Sequence, residues 1–213
     1  MVVTEVAETN KERVARRQLD KFEARRTELA AATLHTLADL GYARTSLREI
    51  AQNSEFSHGV LHYYFADKWD LITRAVRQYE AVCVTRYDDV VANATTADEL
   101  RDGFIDMFVQ TLKSDAPLHR LWYDLRNQSL FNASFRGEVE EIDKRREAMI
   151  WRVISRYAEL SGDEPATTPT TAYAMLDGVF QTGLRQLLSG MDEEVTQLEA
   201  ELPRMLKLLV AGS

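Results

Sequence analysis

Apolar residues recur along this chain every three or four positions, and few segments alternate with the two-residue period of a strand. Leu29, Thr33, Leu37 and Leu40 keep the helical spacing, and Gly41 ends it as a C-terminal stop would. A short helix follows, capped by Thr45 or Ser46 and running to about Ser54, with Leu47, Ile50 and Ala51 on one side. Ser57 caps a third helix that reaches about Phe65 and turns Leu61 and Phe65 inward. Asp67 opens a long fourth helix whose face of Trp69, Leu71, Ile72, Val76, Tyr79 and Val82 extends toward Val91. Beyond Thr95 the spacing predicts longer helices over about 97–114, 117–131, 135–160, 168–189 and 191–210, with a clear break between Gly162 and Pro169. The fold class expected is all-α: a small three-helix head, then a larger helical body reached through the fourth helix.

Composition narrows the picture. The 213 residues are 45% hydrophobic, enough for a sizeable core, and 9 Gly and 4 Pro leave long helices uninterrupted. There is no apolar run of 18 residues, and Met1 to Asp20 is polar and charged, so a cytoplasmic chain with no membrane partner is expected. Cys83 is the only cysteine and makes neither an internal disulfide, a zinc site nor a redox pair; it reads as a small buried residue. The net charge of -8 opposes phosphate binding only in total, because residues 1–70 hold 10 Lys+Arg against 11 Asp+Glu. Within them, Lys11, Arg13, Arg16, Arg17, Lys21, Arg25 and Arg26 face only Glu12, Asp20 and Glu23. This segment is either a mobile arm or an extension of the first helix, and the asymmetry suggests a DNA-facing end.

Two short helices joined by a tight turn are the ingredients of a major-groove reader. In SHGVLHYYF, Leu61 and Phe65 point inward, which leaves Ser57, His58, Gly59, Val60, His62, Tyr63 and Tyr64 as candidates for phosphate and base contact. The stretch GYARTSLREIAQNSEFSHGVLHYYFADKWDLI, Gly41 to Ile72, resembles the TetR family of bacterial repressors in Gly41-Tyr42, Ile50-Ala51, Ser57, Gly59, Leu61, Tyr64-Phe65 and Lys68. That resemblance implies an N-terminal helix-turn-helix DNA-binding head and a C-terminal ligand-binding and dimerisation body. It further implies a homodimer on a palindromic double-stranded DNA operator, a repressor released when a small-molecule effector binds. The corresponding domains are 1–22 (basic arm or helix extension), 23–66 (DNA-binding) and 67–213 (ligand-binding and dimerisation). Residue by residue, Ser46 falls at a phosphate contact, Arg48 at a base edge, Ser57, Val60, His62, Tyr63 and Tyr64 at recognition-helix contacts, Gly59 at a close approach, and Lys68 at a backbone grip. The turn departs from the family, reading Ser54-Glu55-Phe56 where Ala-Gly and an aliphatic residue are usual. A non-glycine residue held there in left-handed geometry would cost roughly 1–2 kcal/mol.

The body offers bulk for a mostly apolar cavity. Phe104, Met107 and Phe108 form one helical stripe, and Trp122, Tyr123, Phe131, Trp151, Met175 and Phe180 come from three other helices. Arg126, with Arg120, Asn127 or Gln128, could anchor polar atoms of a small apolar or amphipathic effector. The stretch AYAMLDGVFQTGLRQLL is apolar around much of its circumference, and Ala174, Met175, Gly178, Val179, Gln181, Thr182 and Arg185 are the expected dimer contacts, on the family's pattern. No cofactor or metal is expected: His58 and His62 are four apart, but Gly59 stands where a metalloprotease needs glutamate. With no nucleophile elbow and no phosphate-cradling loop, an enzyme is not expected; the rival reading, a helical small-molecule enzyme with a vestigial head, has no catalytic residues to support it.

Overall fold

A computed structural model describes residues 10–210, and the chain divides into two compact units, residues 1–78 and 79–213. Residues 1–9 of the expected N-terminal arm lie outside the described residues.

In the first unit α1 spans Asn10–Leu40, α2 Leu47–Gln52 and α3 His58–Tyr64, and α4, Lys68–Cys83, begins here. The segment from Lys11 to Lys21 is therefore part of α1, exposed along its length. The core gathers Leu29, Ala30 and Leu37 from α1 with Leu47, Ile50, Leu61, Phe65, Leu71 and Ile72. Thr33, buried on the same stripe, satisfies its hydroxyl by donating to the Leu29 carbonyl at 3.0 Å. Each short helix starts where a hydroxyl replaces a missing backbone partner: Ser46 accepts from the Glu49 amide, and Ser57 from the Val60 amide. The Asp67 carboxylate accepts from the Asp70 amide at 2.9 Å and caps α4.

Gly41 ends α1 at φ +71°, while its amide donates to the Leu37 carbonyl at 2.9 Å. Because a Cβ is unfavourable in that region, Gly41→Ala should lower stability by about 1–2 kcal/mol, read as a shifted urea midpoint with unchanged slope. The left-handed strain expected between α2 and α3 does not occur. No described non-glycine residue has positive φ. Asn53 closes α2 at φ -108°, and the Ser54 hydroxyl accepts from the Phe56 amide at 3.4 Å, so side-chain bonds shape the turn.

In the second unit α4 ends and is followed by α5 (Asp88–Asn93), α6 (Ala97–Ser114), α7 (Ala116–Ser129), a 3-10 turn (Ala133–Phe135), α8 (Arg136–Ser161), α9 (Pro169–Leu188) and α10 (Asp192–Leu208). α4 does not extend toward Val91: it stops at Cys83, the chain turns, and α5 follows separately. Val82, expected on the buried face, is 68% exposed, whereas Tyr87 in the turn is buried. A capping box fixes the start of α6, with Thr96 accepting from the Glu99 amide and Glu99 accepting from the Thr96 amide. α8 packs along α9, and α10 lies against α9 and α6. α6 also meets α9, and Gly183 permits that approach, since a Cβ there would come within 3.0 Å of a Leu112 methyl on α6. Among the described residues there is no strand, only an isolated bridge between Pro165 and Val210, and no helix is long and apolar enough to cross a membrane.

Candidate nucleic-acid surface and body cavity

α3 presents a divided surface. Leu61 is fully buried, while Ser57, His58, Gly59, His62 and Tyr63 are exposed and Val60 is half-buried. Ser57 and Ser46 spend acceptor lone pairs on capping, which leaves each O–H a donor toward solvent. Arg48 is exposed on α2. The His58 and His62 rings meet edge to face at 4.3 Å. Tyr63 is 71% exposed. Tyr64 packs instead, its ring 4.9 Å from Phe22 of α1.

Lys68, at the start of α4, is held by Tyr42: its ammonium donates to the Tyr42 carbonyl at 3.1 Å and sits 3.9 Å over the ring. Part of the basic stretch in α1 is likewise committed. Arg26 bonds to Asp70 of α4 and pairs with Glu23 at 3.2 Å, and Arg74 reaches Glu23 at 2.8 Å. Burial opposes ionisation of Glu23, but the hydrogen bond from Arg26 and the Arg74 charge win and hold its carboxyl below the usual range. These pairs fasten α1 to α4, a role not evident from the charge count alone.

The body contains a cavity of about 50 Å3. Of the residues named for a ligand cavity, Phe108, Tyr123 and Phe180 line it; Phe104, Met107, Trp122, Arg126, Trp151 and Met175 do not, and Phe131 is 88% exposed at the surface. Phe104 and Trp122 are consumed by the core, packed against Tyr87 and Arg146 respectively. Trp151 is half-buried, and Met175 faces outward at 36% exposure. The remaining wall comes from residues the sequence reading passed over, among them Arg86, Tyr87, Thr111, His119, Arg146, Met149, Tyr173 and Asp177.

Charges in that wall are paired. Arg146, buried, donates from Nε to Glu80 Oε2 at 2.9 Å and from Nη2 to Oε1, while its guanidinium lies 4.5 Å over the Trp122 ring. Burial alone would lower the Arg146 pKa, but the Glu80 carboxylate more than compensates and raises it. Arg86 approaches Asp115 at 3.4 Å, and Asp177 accepts from Tyr123 at 2.9 Å and from Arg126. Asp115, which burial would protonate, is held below the usual carboxylate range by the Tyr79 hydroxyl, Ser114 and the nearby arginine. His119, 3% exposed, is pushed down to about 3 by burial and by the Arg146 and Arg86 charges, so it is neutral. Cys83 is buried as expected, its sulfur accepting from Arg86 at 3.0 Å, and burial pushes the thiol up.

On α9, Ala174, Met175, Gly178 and Arg185 are exposed and Val179, Gln181 and Thr182 half-buried. Ala174, Gly178 and Gln181 border a surface groove of about 740 Å3 together with Arg126 and Asn127. Arg126 therefore stands in the groove, though its bond to Asp177 joins it to the cavity wall.

Comparison with known proteins gives this geometry a context. Residues 29–75 match the family model described as bacterial regulatory proteins, tetR family. The HTH-type transcriptional regulator BetI of Burkholderia ambifaria is 29% identical over 126 residues, 58% of this chain and 64% of that protein. The matched region thus takes in less than two thirds of that relative's length. A crystal structure of a protein from Saccharomonospora viridis in complex with choline superposes with a TM-score of 0.71 at 19% identity, covering 90% of this chain and 99% of the other. The transcriptional regulator FadR from Bacillus subtilis, solved with stearoyl-CoA, gives 0.62 at 19% identity over 87% and 97%. At such identities the structures establish a shared fold. The head, over residues 29–75, thus matches the tetR family of bacterial regulatory proteins, and the chain as a whole shares the all-helical fold of these structures.

Proposed function

We propose that the chain is a ligand-responsive transcriptional repressor that binds a palindromic operator as a homodimer and releases it when a small apolar or amphipathic effector enters the body. The observation that carries this reading is the outward face of α3, where Ser57, His58, His62 and Tyr63 stand exposed beside a well-capped helix start. Gly59 adds to it. A Cβ at that position would meet nothing of the chain itself within 4 Å, so the chain's own packing does not require glycine there, and the small residue leaves room for close approach of an outside partner.

The proposed contacts divide into two kinds. Lys68, pinned over Tyr42, and the donor hydroxyls of Ser46 and Ser57 grip phosphates, while Arg48 and Val60 meet base edges. Tyr63 reaches the backbone, and Tyr64 supports it from the Phe22 contact. The exposed Ala174, Met175 and Gly178 of α9 and its half-buried Val179, with Gln181, Thr182 and Arg185, are proposed to meet their copies across a twofold axis. BetI relatives are named as transcriptional regulators, and FadR and the Saccharomonospora protein hold stearoyl-CoA and choline, which supports a ligand-binding body here. Effector and operator then oppose each other reciprocally, so the effector binds the DNA complex less tightly than the free protein.

Fluorescence anisotropy with the chain's own upstream DNA tests the reading. Neutralising about six phosphates predicts a log-log salt slope near -5. Lys68→Ala should weaken binding to all sequences alike and reduce that slope by about 1, whereas Arg48→Ala or Val60→Ala should change preference among sequences. No binding at low salt would favour the small-molecule enzyme; the reverse pattern among variants would exchange grip and readout.

A further inference from the structure

His119 lines the cavity and carries a hydrogen-bonding atom that is not used. Its ring is buried, and Nδ1 has no partner among the described residues. Leaving such a group empty costs about 1–3 kcal/mol, which marks the position as one that a ligand can repay.

The surrounding bonds determine what that atom is. The Asp115 carboxylate only accepts, and the Thr111 hydroxyl lies 3.4 Å from its Oδ2, so Thr111 donates there. With its single proton spent, Thr111 can only accept at its other neighbour, His119 Nε2, at 3.3 Å. Nε2 therefore carries the hydrogen. Since the buried ring faces the positive charges of Arg146 and Arg86 and stays neutral, Nδ1 is a bare acceptor. Arg86, a residue of the same wall, supplies the complement: its Nε–H is also buried and has no partner among the described residues.

Each charge in that wall already has its counter-charge, Arg146 with Glu80, Arg86 with Asp115 and Asp177 with Arg126, so a charged ligand would find none free. We propose that the cavity takes an uncharged ligand bearing a hydroxyl group, an alcohol or phenol, whose O–H donates to His119 Nδ1 while its oxygen accepts from Arg86 Nε–H. The ring or alkyl frame then lies against Phe108 and Phe180, and the unbranched Met149 side chain turns aside to give it room. This rests on reading the cavity as the effector site.

Calorimetry on the full chain with phenol and toluene, two rings differing at the hydroxyl, tests the proposal. Phenol's affinity relative to toluene should fall about tenfold in His119→Phe, whose ring keeps the bulk but offers no acceptor. An unchanged ratio, or failure of phenol to bind at all, overturns it. Nitrogen-15 NMR of the wild-type protein decides the matter without a variant. The Nε2–H tautomer, with an Nδ1 signal that moves upfield on phenol saturation, supports the proposal; the Nδ1–H tautomer or a static signal removes it. Because no DNA is present, failure of operator release and failure of hydroxyl recognition would be separate results.

Discussion

Arg146→Met should destabilise the body by about 3–5 kcal/mol, lowering the thermal midpoint by on the order of 10 °C. The reason lies in what is left behind. Glu80 is 1% exposed, and Arg146 donates to both of its carboxylate oxygens, so truncating the arginine strands an acceptor that neither solvent nor a neighbour can reach. The Trp122 ring loses the guanidinium that covers it as well. A second substitution separates charge from packing. Because a buried pair replaced at both ends by apolar side chains is often neutral, Glu80→Leu with Arg146→Met should recover most of the loss. Chemical denaturation of the two single variants and the double gives the cycle, and additive losses would show that the two side chains act independently.

Acidification below pH 6.5 should destabilise the body through His119. The folded His119 takes up a proton only near pH 3, whereas in the unfolded chain it does so near 6.5. Below 6.5 the unfolded state therefore binds more protons, and stability falls with pH, by at most about 1.4 kcal/mol per unit and about 2 kcal/mol in all by pH 5. Above 6.5 this contribution is constant. The difference between wild type and His119→Phe isolates it from every other titrating group: the gap in unfolding free energy should change between pH 6.5 and 5 and remain level from 7 to 8. A constant gap throughout would mean that the imidazole is more hydrated than its 3% exposure indicates.

Where the sequence announced its own boundaries, it could be read. Ser46, Ser57, Asp67 and Thr168 cap the helices that follow them, and Gly41 stops the one before it, because capping and left-handed termination are local chemistry. The end of α4 carried no such signal. Cys83, Tyr87 and Val90 continue its three-to-four spacing straight through the turn, with neither glycine nor proline to mark the break. The turn before α3 misled in the other direction, since the Ser54 hydroxyl does locally what a left-handed residue would otherwise do.

The cavity was legible only in part, for a reason that can be stated residue by residue. Aromatic bulk identifies a core, and core and cavity lining share it; Phe104 and Trp122 fell on one side of that division, Phe108 and Phe180 on the other. The sharper signal was polar. Arg146 stands between Ile142 and Ile150 on the buried stripe of α8, Asp177 between Tyr173 and Phe180 on α9, and His119 between Ala116 and Trp122 on α7. A titratable residue at the core position of an apolar stripe must find partners inside, and those three residues, with Arg86, give the wall its chemistry.

Cys83 has a practical consequence. As the sole thiol, shielded inside the body and held protonated by burial, it leaves a quiet background for thiol-directed reagents. A cysteine introduced at an exposed position such as Arg48 or Met175 would therefore take up a fluorophore or spin label alone, and no native residue need be removed first.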